Sequence, residues 1–356
     1  MAPGRKSLRR LQIGRENPSG TSQGATIRLR FADAVIEDAL ELQELEEQIG
    51  IIGGVDRTAI VKTGSKISVG SQPISFEQIP YILAMSLGCS TTATLSATTS
   101  NDRVFAVSLS TSTVATPITY TFEGGDDHEV ERTTYNYCTK WTLDGKGGDV
   151  LKLGAEFEGR GVTTAAGFTG TAQVRPIEDI VFSKGKVYLD TITGSFGATQ
   201  ISNQVIAASV EVSANIVPKW TADGSLDFSQ IVFVDQTVTG KITFEHDTAS
   251  DGSTGAKLDW RAQTPKLLRM MWQGSQLTTA TGAATTGASA YNFKTLLLDL
   301  PVKWKVVGAL EDEKGNDLVT AEFRSRYSLS NSTAGNGRVL VCLDPQGVTT
   351  AAITLP

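Results

Sequence analysis

The sequence predicts a mainly β protein: an extended N-terminal arm over residues 1–30, then two tandem β-rich units over 31–190 and 191–356, each with one flanking α-helix, units that the resemblance given below makes β-barrels or sandwiches. Three observations predict it. Apolar and polar residues alternate along several short runs, the period of a strand with one wet face. The 356 residues include 35 glycines among abundant threonine and serine, which suits short strands joined by many turns. One order of parts also occurs twice.

Composition excludes several classes. Hydrophobic residues make up 40% of the chain, enough to bury large cores, which argues against wholesale disorder. The formal charge of −6 argues against a protein that grips nucleic-acid phosphates over its whole surface. No apolar run approaches ~18 residues, so no membrane-spanning helix is expected. No apolar stretch follows Arg5, Lys6, Arg9, Arg10 and Arg15, so the start does not read as a secretory signal. Cys89, Cys138 and Cys342 are odd in number and far apart; they make neither a disulfide framework nor a metal knuckle, and point to a reducing compartment.

Along the chain, the arm comes first. Its stretch from Gly14 to Gly24 is polar and aperiodic. Its positive charge fits either contact with nucleic acid or an acidic partner, or a solvated tail that orders only against neighbouring subunits, and the acidity of the rest favours the second. Residues 34–49 place Val35, Ala39, Leu42, Leu45 and Ile49 on a helical stripe, and an ordered extended segment fits as well. Ser75-Phe76-Glu77-Gln78 reads as a capping box before a helix from Pro80 that Gly88 stops. Tyr135, Tyr137, Trp141 and Leu143 alternate, as do Leu151, Leu153, Ala155 and Phe157, around the turn Asp144–Asp149: a β-hairpin. Further strands are expected at Val210–Val217, Ile242–His246, Val302–Val307 and Leu318–Tyr327.

The repeat supports duplication. Pro80–Gly88 followed by Thr91-Thr92-Ala93-Thr94 is matched by Pro265–Gly274 followed by Thr278-Thr279-Ala280-Thr281, with Thr264 as the second helix's N-cap. Lys140-Trp141, Lys146–Asp149 and Ala155-Glu156-Phe157 recur as Lys303-Trp304, Lys314–Asp317 and Ala321-Glu322-Phe323.

No catalytic, cofactor-binding or metal-binding residue emerges. Asp126-Asp127-His128-Glu129 lacks the spacing of a cation loop and reads as a solvated turn, and His246 as a surface residue. Gly185-Lys186 and Gly240-Lys241 lack the hydroxyl and leading glycine of a phosphate loop. Cys138 reads as a small wall residue beside Trp141.

The chain resembles the major tail tube proteins of long flexible-tailed bacteriophages, in their two-barrel version. The resemblance runs from about Phe31 to Tyr327 and rests on four parts. These are Gly53-Gly54 leading to the Pro80–Gly88 helix, Ile118–Asp126, the Tyr137–Leu143 strand with its glycine turn, and the Leu151–Gly159 strand. It implies barrel units, closed or nearly so, whose sixfold rings stack into a tube in the virion tail, assembled in the host cytoplasm. Two units per chain need three chains per ring, with a hexamer as the alternative. Implied partners are further copies, a tape-measure protein, and tail terminator or tail-tip proteins. Double-stranded DNA passes through without specific binding, and no membrane is involved. Candidates for ring stacking are the arm, with Arg9 and Arg10, and the loops 89–100 and 276–290, with Cys89, Thr91, Thr94, Thr278 and Thr281. An acidic lumen would repel phosphate, and Glu156 and Glu158 are candidates to face it. A carbohydrate-binding or adhesin-like β protein is the competing reading; it requires exposed aromatic platforms.

Overall fold

The computed structural model describes residues 5–31, 33–47, 49–50, 52, 57–87, 91–94, 101–106, 117–170, 172–234, 236–246, 253–277, 293–325 and 338–343. From the N-terminus the strands are β1 (Arg10–Arg15), β2 (Ile27–Leu29), β3 (Val35–Asp38), β4 (Glu41–Glu44), β5 (Thr58–Lys62) and β6 (Ser65–Pro73). Helix α1 (Ile79–Leu87) follows, then β7 (Thr91–Thr94), β8 (Asn101–Ala106), β9 (Tyr120–Gly125), β10 (Val130–Lys146), β11 (Lys152–Gly159) and β12 (Thr163–Ala165). Next come β13 (Gly185–Thr191), β14 (Gln200–Ile201), β15 (Val205–Ser213), β16 (Ile216–Lys219), β17 (Gln230–Phe233) and β18 (Thr237–Glu245). Helix α2 (Ser253–Ala262) leads into β19 (Lys266–Gln276), β20 (Phe293–Glu313), β21 (Asn316–Ser325) and β22 (Arg338–Leu343).

Two long strands organise the rest. β10 ladders with β9 and β12 near Val130, then passes a bulge between Thr133 and Asn136 and ladders with β11 and β15. β20 ladders with β19 and β22 before Val302 and with β21 after it. Three antiparallel sheets result. An N-sheet has the order β2-β1-β9-β10-β12. A broad sheet has the order β3-β6-β11-β10-β15-β18-β21-β20. A C-sheet has the order β7-β8-β22-β20-β19-β13-β14.

Followed strand to strand among the described residues, these ladders do not return to their start. The expected barrels, closed or nearly so, are therefore corrected to open sheets. The bulge in β10 bends the strand from one sheet into the next instead of rolling one sheet shut. One contiguous core joins them, running from Leu11 and Phe122 through Trp141 and Phe157 to Trp304, Phe323 and Val341.

Both expected hairpins form, β10–β11 and β20–β21, with Trp141 opposite Ala155 and Trp304 opposite Phe323. The second turns through Lys314 and Gly315, both at positive φ, as a two-residue turn between right-twisted strands requires. Strands of the two halves also share a sheet: β13 ladders with β19, and β8 with β22.

Three expectations are corrected. Residues 10–29 of the arm are not a tail: Leu11, Ile13, Ile27 and Leu29 are buried in β1 and β2 of the N-sheet. The helix expected at Pro265–Gly274 is strand β19, buried continuously from Leu267 to Trp272. A strand covered on both faces loses its alternation, and its leucines and methionines are also good helix formers. The second helix lies earlier, at α2, where Gly255 and Ala256 pack inward and Trp260 packs against the core, while Leu258 is exposed. The loop expected at 89–100 contains strand β7.

Two further readings are settled. Residues 35–38 and 41–44 are extended, so the alternative to the helical stripe holds. Helix α1 forms as expected, buried over all nine residues, but Ser75 takes part through its backbone carbonyl, which accepts the N–H groups of Gln78 and Ile79.

Candidate functional site

The broad sheet has one buried face and one wet face. Along β11, Leu153, Ala155 and Phe157 point into the core while Glu156 is exposed between them. Glu156 lies opposite Lys140 on β10, and Lys140 forms an ion pair with Glu211 of β15 at 3.0 Å. Asp144 lies opposite Lys152, and Lys241 opposite Glu322. The wet face thus interleaves both signs of charge.

Glu158 differs from Glu156. It is half-buried and accepts the hydroxyl of Tyr137 at 2.9 Å. Tyr137 is sealed under Ile216 and Phe228, because the β16–β17 ribbon folds over that end of the sheet. Burial first, then the Glu158 charge, pushes the Tyr137 phenol well above its ordinary value.

The two ends of the broad sheet are β3 and the second half of β20. Among the described residues, β3 ladders only with β6, and β20 beyond Val302 only with β21. The indole of Trp260 on α2 reaches the backbone of β20, donating to the Lys305 carbonyl at 3.1 Å. β3 runs toward the rim where Ser65 and Gly159 pair, ending in Glu37 and Asp38. β20 leaves that same rim, where Val302 pairs with Ser325, and exposes Lys303 and Lys305 near its start. The two edges therefore run in opposite directions and carry opposite charge at the same rim. The apolar alternation of the sequence does not mark edges. The signals that could have found these are the acidic run after Val35 and the two lysines flanking Trp304.

The stacking candidates are scattered. Cys89, Thr278 and Thr281 lie outside the described residues. Thr91 and Thr94 are the ends of β7, paired with Val104 and Asn101 of β8. Arg10 sits in β1 with its guanidinium 4.4 Å from the centre of the Phe168 ring, and Arg9 precedes it.

The remaining constellations have structural uses. The Asp126 carboxylate accepts the backbone N–H groups of His128 and Glu129 and closes the β9–β10 turn. Cys138 is buried, and that burial pushes its thiol far up from the ordinary range. Trp220, 40% exposed, carries the Lys62 ammonium 5.0 Å over its ring. Among the described residues, no group of three or more His, Cys, Asp or Glu side chains is placed to hold a metal ion. No sequence motif marked the buried cluster in which Lys294 meets Glu77 at 2.7 Å and Glu178 at 3.1 Å.

No protein-family model matches the chain, and no curated protein sequence does.

Proposed function

We propose that this chain is a structural subunit that joins copies of itself through the edges of the broad sheet, closing rings that stack into a phage-type tail tube for double-stranded DNA. The observation that carries the reading is the pair of edges. β3 and β20 are antiparallel, as a continued antiparallel sheet requires, and Glu37 and Asp38 of one copy would meet Lys303 and Lys305 of the next. An unpaired strand edge is a template for another chain unless it is covered, and on the β20 edge the Lys305 carbonyl is already taken by the Trp260 indole, so the neighbour's β3 would pair with the backbone on either side of it.

Three copies are favoured. Each chain brings two hairpins of one build and eight strands to the broad sheet. Three chains make a ring about 115 Å round at ~4.8 Å per strand, and strand tilt widens it. That is room for a DNA duplex with the wet face turned inward. A six-chain ring is the alternative. In this reading the tandem units are the two halves of one sheet, each under its own covering layer.

The implied partners are further copies of the chain, a tape-measure protein, and tail terminator or tail-tip proteins, in a virion assembled in the host cytoplasm. Negative-stain microscopy and native mass measurement of the purified full chain test the reading. Rings of three chains with a central hole are expected. A monodisperse monomer that forms no ring overturns it.

A further inference from the structure

The two edges of the broad sheet are not equally open. Among the described residues nothing covers the outer side of β3, and Val35 there is 43% exposed. The run of β20 beyond Val302 instead carries three devices that blunt a strand edge. Lys303 and Lys305 put charge on it. A bulge between Trp304 and Val306 leaves Lys305 unmatched by a residue of β21. Helix α2 packs against it, and the Trp260 indole donates to the Lys305 carbonyl at 3.1 Å. The last turn of α2 is fastened from two further sides. Asp259 forms an ion pair with Lys266 at the start of β19 at 3.1 Å, and the Trp260 carbonyl accepts the Gln263 side-chain amide at 2.7 Å. A helix of ten residues is marginal alone in water, so these anchors hold it on the edge.

We infer that Trp260 is an edge guard: its indole N–H withholds the Lys305 carbonyl and so restrains the pairing of β20 with β3 of a second copy, keeping free chains apart until their concentration passes a threshold. The inference rests on the ring reading above and adds a restraint to it. Like edges are already kept apart by charge. Glu37 and Asp38 would face their own kind across two β3 strands, as would Lys303 and Lys305 across two β20 strands, and like charges opposite one another are destabilising. The pairing that charge favours is therefore the one that needs a restraint. β3 has only four residues, so withholding one ladder bond removes a large share of the junction.

The test uses the full chain and Trp260→Phe, which keeps an aromatic ring against the core and removes the donor. The threshold is the chain concentration at which native mass measurement first detects rings, and the melting temperature of the free chain is read beside it. One net hydrogen bond shifts an equilibrium about two- to tenfold, so the threshold of Trp260→Phe should fall at least about threefold while its melting temperature falls or stays level. A residue that served the fold alone would lower the melting temperature without lowering the threshold. Asp259→Asn loosens the same turn by removing its ion pair with Lys266, alters no apolar residue, and should shift the threshold in the same direction. It becomes the decisive variant if Trp260→Phe does not fold. A threshold equal to or above that of wild type in the decisive variant overturns the guard and leaves the ring reading standing. A wild-type chain that never forms rings overturns both.

Discussion

The carboxylate of Glu16 accepts the backbone N–H of Tyr135 at 2.8 Å, although 119 residues separate them. Tyr135 has a φ of 57° and sits where β10 leaves the N-sheet for the broad sheet. That left-handed conformation costs an ordinary residue about 1–2 kcal/mol. The same carboxylate accepts the Thr119 hydroxyl at 2.7 Å, the Thr121 hydroxyl at 3.0 Å and the Gly20 N–H at 2.7 Å. A residue from the segment that reads as a tail therefore fastens the corner on which two sheets depend.

Replacing Glu16 with leucine leaves the buried Thr119 and Thr121 hydroxyls and the half-buried Tyr135 and Gly20 N–H groups without this acceptor. Each orphaned donor costs about 1–3 kcal/mol, so a loss of about 3 kcal/mol or more is expected in chemical denaturation. Glu16→Gln retains one acceptor oxygen and should lose less. Equal stability of Glu16→Leu and wild type would show that Tyr135 holds its conformation without this bond.

The Lys294 cluster ties the start of α1 to the second half of the chain and should leave a signature in pH. Burial raises the Glu178 carboxyl, but hydrogen bonds from Ser275 and Lys294 outweigh it and hold the group below its ordinary value. Burial lowers the Lys294 ammonium, but Glu77 and Glu178 outweigh that and raise it. Glu178 therefore adds stability above its unfolded value of about 4.3, lost as pH falls through the depressed folded one. Lys294 adds stability below about 10.4, lost as pH rises through its raised folded value. Lys294→Met should cost about 3–5 kcal/mol at pH 7 by leaving the buried Glu77 charge unpaired, and should flatten both limbs of the stability profile. A profile parallel to wild type would mean the cluster contributes no linked protons.

Much of this architecture was legible because its signals are local. The β10–β11 hairpin shows itself through strict alternation around a glycine turn, and α1 through an apolar run with a stop at Gly88. β19 was not legible, because a strand buried on both faces has no period, and its Arg269 enters the core only by pairing bidentately with Asp299 at 2.7 and 2.9 Å. Nor was the N-sheet, whose short β1 and β2 become core only when β9 supplies the partner. The candidate site was half legible. Alternation placed Glu156 on the wet face, but the interleaved lysines come from strands far apart in sequence, and which strands are edges depends on pairing alone.

Charge reversal at Glu156 isolates one feature of the tube reading. Glu156 faces water opposite Lys140, so Glu156→Lys removes a carboxylate and sets two cations side by side without touching the core. DNA sliding past a more basic wall should be retarded in a salt-dependent way, through release of counterions from phosphate. Tubes should assemble normally, and DNA ejection from particles carrying the variant should slow, most at low salt. Glu158→Lys is a poorer probe because it also strands the Tyr137 hydroxyl. Unchanged ejection at all salt concentrations would remove this face from the lumen.

The edges admit the most direct test. Lys303→Glu with Lys305→Glu puts four carboxylates at the proposed junction once Glu37 and Asp38 of the next copy arrive. Both lysines are exposed, so the monomer should keep its fold, with melting temperature and circular dichroism close to wild type. Like charges across paired strands are destabilising, and ring formation should fail or require high salt. Adding Glu37→Lys and Asp38→Lys reverses both sides and should restore rings. Glu37 also lies opposite Lys66 on β6, so that restoring variant loses a favourable cross-strand pair within each copy and is expected to recover rings incompletely. If the lysine-reversed chain forms rings as readily as wild type at low salt, the broad sheet does not continue from β20 into β3 of a neighbour, and the rings must close through another surface.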